Sequence, residues 1–192
     1  MKKREFTELI RKSLVVDVNP ALVEKYISMA YDLYVVNHWQ NKRTQNIDFY
    51  SKLFPEQDIL GTGSERYIML PAAIIDLPIA GGGVSVEPVG EISARFLPVT
   101  LNQTKILKEL EVGLMPGQIW YLVTQDRIQL LNKIYGFSKV NLRLVIRYDS
   151  YLPSDEIYFA PHSQMSIRDI VWQFLRQSPV EDKVIDSNQK TT

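Results

Sequence analysis

The amino-acid sequence predicts an α+β fold, in which helices near the two ends of the chain pack together around a β-rich insertion. Apolar residues recur with helical spacing near both ends, whereas the stretch from 66 to 160 contains short apolar runs bounded by glycine and proline. A helix with an apolar face must bury it, so we expect the terminal helices to cover one another. The predicted domain spans 1–177, with its helical part at 1–45 and 166–177, and an extended tail follows at 178–192.

Two helices are predicted before residue 45. The first is a short amphipathic helix at 4–15, and the second starts at Asn19, a good N-cap, with Pro20 at its first position, and ends near His38. The apolar residues of the second helix form two adjacent stripes and a third group: Leu22, Tyr26, Met29, Leu33 and Val36; Val23, Ile27, Ala30 and Tyr34; Tyr31, Val35 and Trp39. Such a helix is either central in its own domain or partly covered by a neighbouring subunit. The sequence leaves both interpretations open.

The middle of the chain is predicted to be a polar connection followed by strands and one short helix. Residues 40–65 are expected to be irregular, with one helical turn at Asp48–Leu53, and Gly81–Gly83 is expected to form a turn. The predicted strands are Tyr67–Leu70, Ala73–Leu77, Val84–Val86, Ile92–Val99, Ile119–Thr124, Ile128–Leu131 and Val140–Tyr148, and the helix is Asn102–Val112, with Ile106, Leu107 and Leu110 facing inward.

The region 119–148 contains the strongest hairpin signal. Two strands flank the Gln125–Asp126 turn, and the following strand alternates apolar residues, Leu144 among them, with polar ones. Because the turns are too short for crossovers, we expect an antiparallel meander with Leu144 on its core face.

The last predicted helix begins with a capping pair, Ser166 and Asp169, and buries the stripe that starts at Ile167. Trp172 falls on the polar side of this helix between Arg168 and Arg176. A tryptophan there is either covered by loops of its own domain or is an interface anchor.

The tail 178–192 leaves the domain at Pro179, which stops the helix. Val180, Val184 and Ile185 are its apolar residues, too few to fold it independently. The tail is therefore either a frayed terminus or a segment that docks on a partner. We name Trp172, Arg168, Arg176, Val180, Val184 and Ile185 as the candidate interface residues.

Composition favours a protein that associates with other proteins. The 22 Lys and Arg residues equal the 22 Asp and Glu residues, whereas proteins that hold nucleic acid through its phosphates usually carry a basic excess. No cysteine is present, which excludes disulfides and thiolate metal sites.

No apolar run reaches the roughly 20 residues of a membrane helix, and acidic residues interrupt the N-terminal segment where a signal peptide would be apolar. We therefore expect synthesis in the cytoplasm and no membrane partner.

The sequence predicts no enzyme and no cofactor. His38 and His162 are its two histidines, and neither accompanies a nucleophile motif or metal-ligand spacing. Gly81–Gly83 lacks the Lys and Ser or Thr of a phosphate-binding loop, and a strand rather than a helix follows it. The adjacent acids Asp155 and Glu156 lie in a Pro-Ser loop and are interpreted as solvated or capping residues.

Several short segments resemble head-to-tail connector proteins, the neck-ring or adaptor proteins of crAss-like tailed bacteriophages. The resemblance covers residues 66–188 and rests on the order of short motifs rather than on a chemical signature. The motifs are Arg66–Pro71, Asp76–Pro78, Ala94–Val99, Ile119–Tyr121, Arg127–Leu130, Val140–Leu144, Ile167–Leu175, Glu181–Lys183 and Asp186–Asn188. The Gly81–Gly83 turn departs from the bulkier turn that the resemblance leads us to expect.

The resemblance implies a virion structural protein that forms a closed ring of about twelve copies at the neck. Its implied partners are other copies of itself, the portal protein, an adjacent neck or tail ring protein, and genomic DNA that passes through the lumen without sequence readout. The implied location is the virion neck, reached from the host cytoplasm during assembly. The alternatives are a non-viral interaction or scaffold module and another tail or baseplate adaptor subunit.

Overall fold

The computed structural model has the predicted α+β fold, with four α-helices and two sheets in the part of the chain that it describes. The described residues are 1–14, 19–41, 49–63, 65–78, 81–90, 94–109, 117–132, 136, 138–159 and 163–177. The helices are α1 (Lys3–Ser13), α2 (Pro20–Asn41), α3 (Leu101–Glu109) and α4 (Ser163–Gln177). The strands are β1 (Lys52–Asp58), β2 (Arg66–Met69), β3 (Val84–Pro88), β4 (Arg95–Pro98), β5 (Gln118–Val123), β6 (Arg127–Leu130) and β7 (Lys139–Leu144).

The helix starts follow from local hydrogen bonding. Asn19 caps α2 as predicted, because its Oδ1 accepts a hydrogen bond from the Ala21 N–H at 3.0 Å. The predicted start of α4 is wrong by one turn: the helix begins at Ser163, and Ser166 is an exposed residue inside it. Ser163 is buried and its hydroxyl lies 2.6 Å from that of Tyr34 on α2, so a tertiary contact fixes the start of α4.

The helices from the two parts of the chain pack together, as the sequence predicts. The Tyr26 and Phe174 rings lie 5.9 Å apart, near the start of α2 and the end of α4, and Tyr34 contacts Ser163 at the opposite ends. The two helices therefore run antiparallel. Between these contacts α2 buries Val23, Ile27, Ala30 and Tyr34.

The three-stranded sheet has the order β1-β7-β3, and both pairings are antiparallel. Strand β1 corrects the prediction that residues 40–65 are irregular. Pro55 hides it in the sequence, since proline is rare within strands except at an edge or a bulge. Here both apply: β1 is an edge strand, and a bulge between Phe54 and Gln57 places Glu56 at a φ of 52°. The Asn141 Oδ1 accepts the Glu56 N–H at 3.0 Å and so supports the bulge.

The four-stranded sheet has the order β2-β6-β5-β4, with a parallel pairing of β4 and β5 and antiparallel pairings elsewhere. The hairpin of β5 and β6 around Gln125–Asp126 is confirmed. The predicted meander is wrong, because β7 is the central strand of the other sheet. The alternation in β7 identifies its buried face but says nothing about its neighbours, and both sheets present an apolar face that could receive it.

Some of the remaining predictions for the insertion are confirmed and one is wrong. Strands β2, β3 and β4 fall within one to three residues of the predicted segments, and α3 lies where a short helix is predicted. The run Ala73–Leu77 is not a strand; it forms a single antiparallel bridge between Ile74 and Ile146. The side chains of Ile106, Leu107 and Leu110 lie outside the described residues.

Both sheets contribute to one hydrophobic core with the helices. Val140, Leu142 and Leu144 of β7 are fully buried, and so are Ile128 and Leu130 of β6. The Tyr121 hydroxyl on β5 donates a hydrogen bond to the Val84 carbonyl on β3 at 2.8 Å, which connects the sheets directly. Burial raises the pKa of Tyr121, so this hydroxyl remains a donor at neutral pH.

Leu144→Asp should abolish soluble expression, because a carboxylate would replace a side chain with no solvent exposure. Leu144→Ala should fold but lose roughly 2–5 kcal/mol of unfolding free energy. The control is Arg143→Ala at the neighbouring, outward position, which removes a half-exposed ion pair to Glu87 and should cost about 1 kcal/mol or less. Denaturant unfolding of the soluble variants and the yield of Leu144→Asp check these expectations. A soluble, folded Leu144→Asp protein would contradict the assigned core face.

Candidate functional site

The histidines and acidic residues do not form a metal centre in the described part of the chain, where no group of three or more metal-ligating side chains comes together. His38 contacts the Tyr34 hydroxyl through Nδ1 at 3.1 Å, and His162 lies outside the described residues. Within the same residues, no helix is both long and apolar enough to cross a membrane.

A loop at 148–159, between β7 and α4, is held by elements from several parts of the chain. Buried Lys3 donates from Nζ to the Tyr151 carbonyl at 3.0 Å, and the Arg4 N–H donates to Pro153. The Tyr31 hydroxyl of α2 donates to the Tyr158 carbonyl at 2.7 Å. We call this segment the 148–159 loop; its many partners make it a rigid feature of the surface.

The tyrosines around this loop are structural donors. Burial raises the pKa of Tyr148 and Tyr151 to about 12, and it also raises the pKa of Tyr31. Their hydroxyls therefore stay protonated at neutral pH, where a phenol that acted as a base would have to ionise. The Tyr148 hydroxyl lies 2.7 Å from that of Thr7, so it also connects α1 to the loop.

An ion pair closes the 148–159 loop against the three-stranded sheet. Lys52 Nζ on β1 lies 2.6 Å from Asp155 Oδ2, and the same oxygen accepts the Leu152 N–H at 2.9 Å. The Lys52 ammonium, with that N–H, holds the pKa of Asp155 below its ordinary value. The sequence suggested a solvated or capping role for Asp155. In the structure its carboxylate instead connects the loop to β1 through the ion pair with Lys52.

A groove of about 800 Å³ lies beside the Gly81–Gly83 turn. All three glycines have positive φ, and a Cβ on Gly81 would come within 2.9 Å of the Pro98 side chain. The glycines therefore serve the turn and the close approach of β4, and β3 follows directly. The groove is lined by apolar and polar groups alike, including Ile74, Asp76, Leu101, Leu122, Thr124 and Arg147.

Three of the predicted interface residues share one face of α4. Trp172 is half-buried and packs against the core, and the Arg176 guanidinium carbon lies 5.9 Å from the centre of its ring. Arg168, one turn earlier, pairs with Asp169 at 2.9 Å. Met165 extends this face and is 62% exposed. The domain covers Trp172 in part and leaves the rest of the face open; Val180, Val184 and Ile185 lie outside the described residues.

The outward side of α2 carries a row of apolar residues, which we call the α2 ridge: Leu22, Met29, Leu33 and Val36. Met29 is 46% and Leu33 41% exposed, while Leu22 and Val36 are partly exposed. The domain thus covers one of the two predicted stripes, that of Val23 and Ile27, and leaves Met29 and Leu33 of the other open, while Tyr26 and Val36 pack against the core.

The outward side of the four-stranded sheet forms a surface that the sequence analysis missed, which we call the aromatic–arginine face. It consists of Tyr67, Met69, Arg95, Leu97, Gln118, Trp120, Leu122, Arg127 and Gln129, the positions that alternate with buried ones along the strands. Glu65, two residues before Tyr67, lines a pocket with Tyr67, Arg127 and Gln129 at the edge of this face. The Arg127 guanidinium carbon lies 5.5 Å from the centre of the Tyr67 ring. Alternate positions of four strands could have revealed it, but only once their pairing was known.

No protein-family model matches the chain, and no curated protein matches it in sequence.

Asp155→Asn should destabilise the protein by about 2 kcal/mol near neutral pH, because the Lys52 ammonium loses its charged acceptor. The folded-state pKa of Asp155 lies below its ordinary value of 3.8, so its ionisation contributes stability above that pH. The contribution is lost as pH falls through the lower, folded-state value. The difference in unfolding free energy between wild type and Asp155→Asn should therefore shrink as the pH is lowered from 7 to below 3.8. A difference that does not shrink with falling pH would contradict the assigned charge pairing.

Proposed function

We propose that this protein is a virion structural protein that forms a closed ring at the neck of a tailed phage, linking the portal to the tail around the DNA channel. The observation that carries the proposal is the α2 ridge. A helix that is buried along its opposite side leaves Met29 and Leu33 more than 40% exposed on the other.

The ridge has the size and spacing of a helix-packing surface. Its four residues cover about four helical turns, roughly 21 Å along the axis. Single exposed apolar residues are normal on protein surfaces, but two neighbouring ones on one helix face, here Met29 and Leu33, favour a contact. Covering the exposed parts of Met29 and Leu33 would stabilise such a contact by about 1 kcal/mol each.

The ridge and the outer face of α4 are unlike surfaces. The ridge is apolar, whereas the α4 face combines Met165 and Trp172 with Arg168 and Arg176. A subunit with two different contact surfaces associates head to tail, and such contacts form a ring when the rotation between neighbours closes. This favours a ring over a two-fold symmetric dimer.

The sequence resemblance supports the proposed position of this ring at the neck. Neck proteins of crAss-like phages resemble the chain from Arg66 to Asn188, which points to the portal and an adjacent ring protein as partners. The balanced net charge of zero suits a lumen through which DNA passes without sequence readout. The second candidate, an interaction module or a different tail or baseplate adaptor, would use the same ridge for another partner and would not close into rings by itself.

Leu33→Asp should prevent ring formation while the subunit stays folded, because the new carboxylate would be buried on association but not on folding. The matched control is Leu9→Asp on α1, a leucine with nearly the same exposure, 43% against 41%. Mass photometry and negative-stain images report assembly, and thermal unfolding reports the fold. We expect wild type and Leu9→Asp to form closed rings. We expect Leu33→Asp to be folded but monomeric.

Wild-type protein that stays monomeric in every condition, including in the presence of the portal, would exclude the neck ring. Rings formed equally by Leu33→Asp would show that the ridge is not the contact.

Deletion of residues 178–192 should leave folding intact, because α4 and its buried residues Ile167 and Val171 remain in place. The truncated protein should bind the portal at least tenfold more weakly, since Val180, Val184 and Ile185 are the apolar residues available for docking. Co-sedimentation with purified portal measures the binding. Equal binding of the full-length and truncated chains would show that the tail does not dock.

A further inference from the structure

We propose that the aromatic–arginine face binds the 148–159 loop of a second copy of this chain. The proposal rests on the proposed ring and assigns a second contact between its subunits. It follows from two surfaces of one chain whose apolar and charged groups match.

The aromatic–arginine face has the composition of a protein-binding surface. Tyr, Trp, Met and Arg are the residue types enriched at such interfaces, while Lys, Asp and Glu are depleted; Glu65 lies at the edge of the face, beside Tyr67 and Arg127. Its centre is apolar, with Trp120 opposite Leu97 on the neighbouring strand. Trp120 and Tyr67 are only partly buried by their own subunit.

The two arginines of the face lie on either side of this centre. Arg95 pairs with Gln118 at the start of β5, whereas Arg127 lies opposite Thr124, just beyond its end. Strand geometry therefore separates them by roughly 20 Å, with Trp120 between them. Both are exposed, and neither forms an ion pair within the described residues.

The outward side of the three-stranded sheet provides the contrast. There Lys139 lies 3.2 Å from Glu56, and Arg143 lies 2.9 Å from Glu87, so its cations meet carboxylates of the same subunit. Arg95 and Arg127 of the four-stranded sheet form no such ion pair in the part of the chain that the structure describes. A binding partner with carboxylates could form ion pairs with these two arginines.

The tip of the 148–159 loop has apolar residues between two carboxylates, which complements the apolar centre between two arginines on the aromatic–arginine face. Leu152 is 64% exposed and Pro153 is exposed beside it, while Asp149 and Glu156 flank them three residues before and four after Leu152. Lys2 lies opposite Glu156 in an antiparallel bridge, but neither flanking carboxylate forms an ion pair in the described part of the chain. We call Asp149, Leu152, Pro153 and Glu156 the acidic tip.

The acidic tip is rigid before it binds. The Leu152 N–H is held by Asp155, which is held by Lys52, and the Pro153 carbonyl accepts the Arg4 N–H. A preorganised loop loses little conformational entropy on binding, which favours affinity. In the contact, Leu152 would pack on Trp120 and Leu97, and the two carboxylates would approach the two arginines.

A charge-swap experiment tests this contact. The face variant carries Arg95→Glu with Arg127→Glu, and the tip variant carries Asp149→Lys with Glu156→Lys. Each alone should raise the dissociation constant between subunits at least tenfold, because like charges then face each other. An equimolar mixture should restore assembly, since each variant supplies a surface that complements the other. Analytical ultracentrifugation of each protein and of the mixture measures this.

The control for the face variant is Lys12→Glu with Lys105→Glu, which makes the same change in net charge as that variant at exposed positions on α1 and α3 and should assemble like wild type. Normal assembly of either swapped variant, or a mixture that stays dissociated, would overturn the contact. Self-assembly unchanged in the face variant, with loss of binding to a fluorescent single-stranded oligonucleotide, would show that the face binds nucleic acid instead. If the wild-type protein forms rings, the proposed function stands whether or not the charge-swap variants behave as expected. If the wild-type protein never assembles, even with portal present, both the proposed function and this contact are overturned.

Discussion

The architecture depends on one constraint, the need of buried tyrosine hydroxyls for hydrogen-bond partners where helices and sheets meet. Tyr31, Tyr34 and Tyr148 are buried, and an unpaired hydroxyl there would cost about 1–3 kcal/mol. Their partners come from other elements: the Tyr158 carbonyl, the Ser163 hydroxyl and the Thr7 hydroxyl. Each partner is in reach only when α1, α2, α4 and the 148–159 loop have assembled together. The hydroxyls thus specify one arrangement, where apolar packing alone would accept several.

This junction also holds together the elements that carry the proposed contact surfaces. Asp32 of α2 accepts hydrogen bonds from the Arg147 side chain and from the Tyr148 N–H, so the helix is attached to the end of β7 as well as to α4. The helix that carries the α2 ridge and the loop that carries the acidic tip are thus joined by direct hydrogen bonds. A surface held in this way reaches its partner already shaped, which suits an assembly built from many identical contacts.

Much of this fold could be predicted from local patterns, and the misses share a cause. The cap at Asn19, the hairpin at Gln125–Asp126 and the core position of Leu144 each follow from a few neighbouring residues. Strand β1 and the true neighbours of β7 could not be found, because edge pairing and sheet order depend on partners far along the chain. The candidate interfaces show the same difference between local and long-range information. The spacing of Arg168, Trp172 and Arg176 on one helix face could be predicted from the sequence, whereas the aromatic–arginine face could not, because it depends on the order of four strands.

The bulged edge of β1 has a consequence for any protein that assembles with itself. An exposed, regular edge strand invites further strands to add without limit, the route to fibres. Pro55 removes a backbone donor from this edge, and the bulge at Glu56, supported by Asn141, breaks the repeat that an added strand would follow. Strand addition at β1 is therefore disfavoured, and the proposed ring contacts would use side-chain surfaces whose geometry fixes the angle between neighbours. The bulge thus removes one route by which such an assembly could grow into an open polymer.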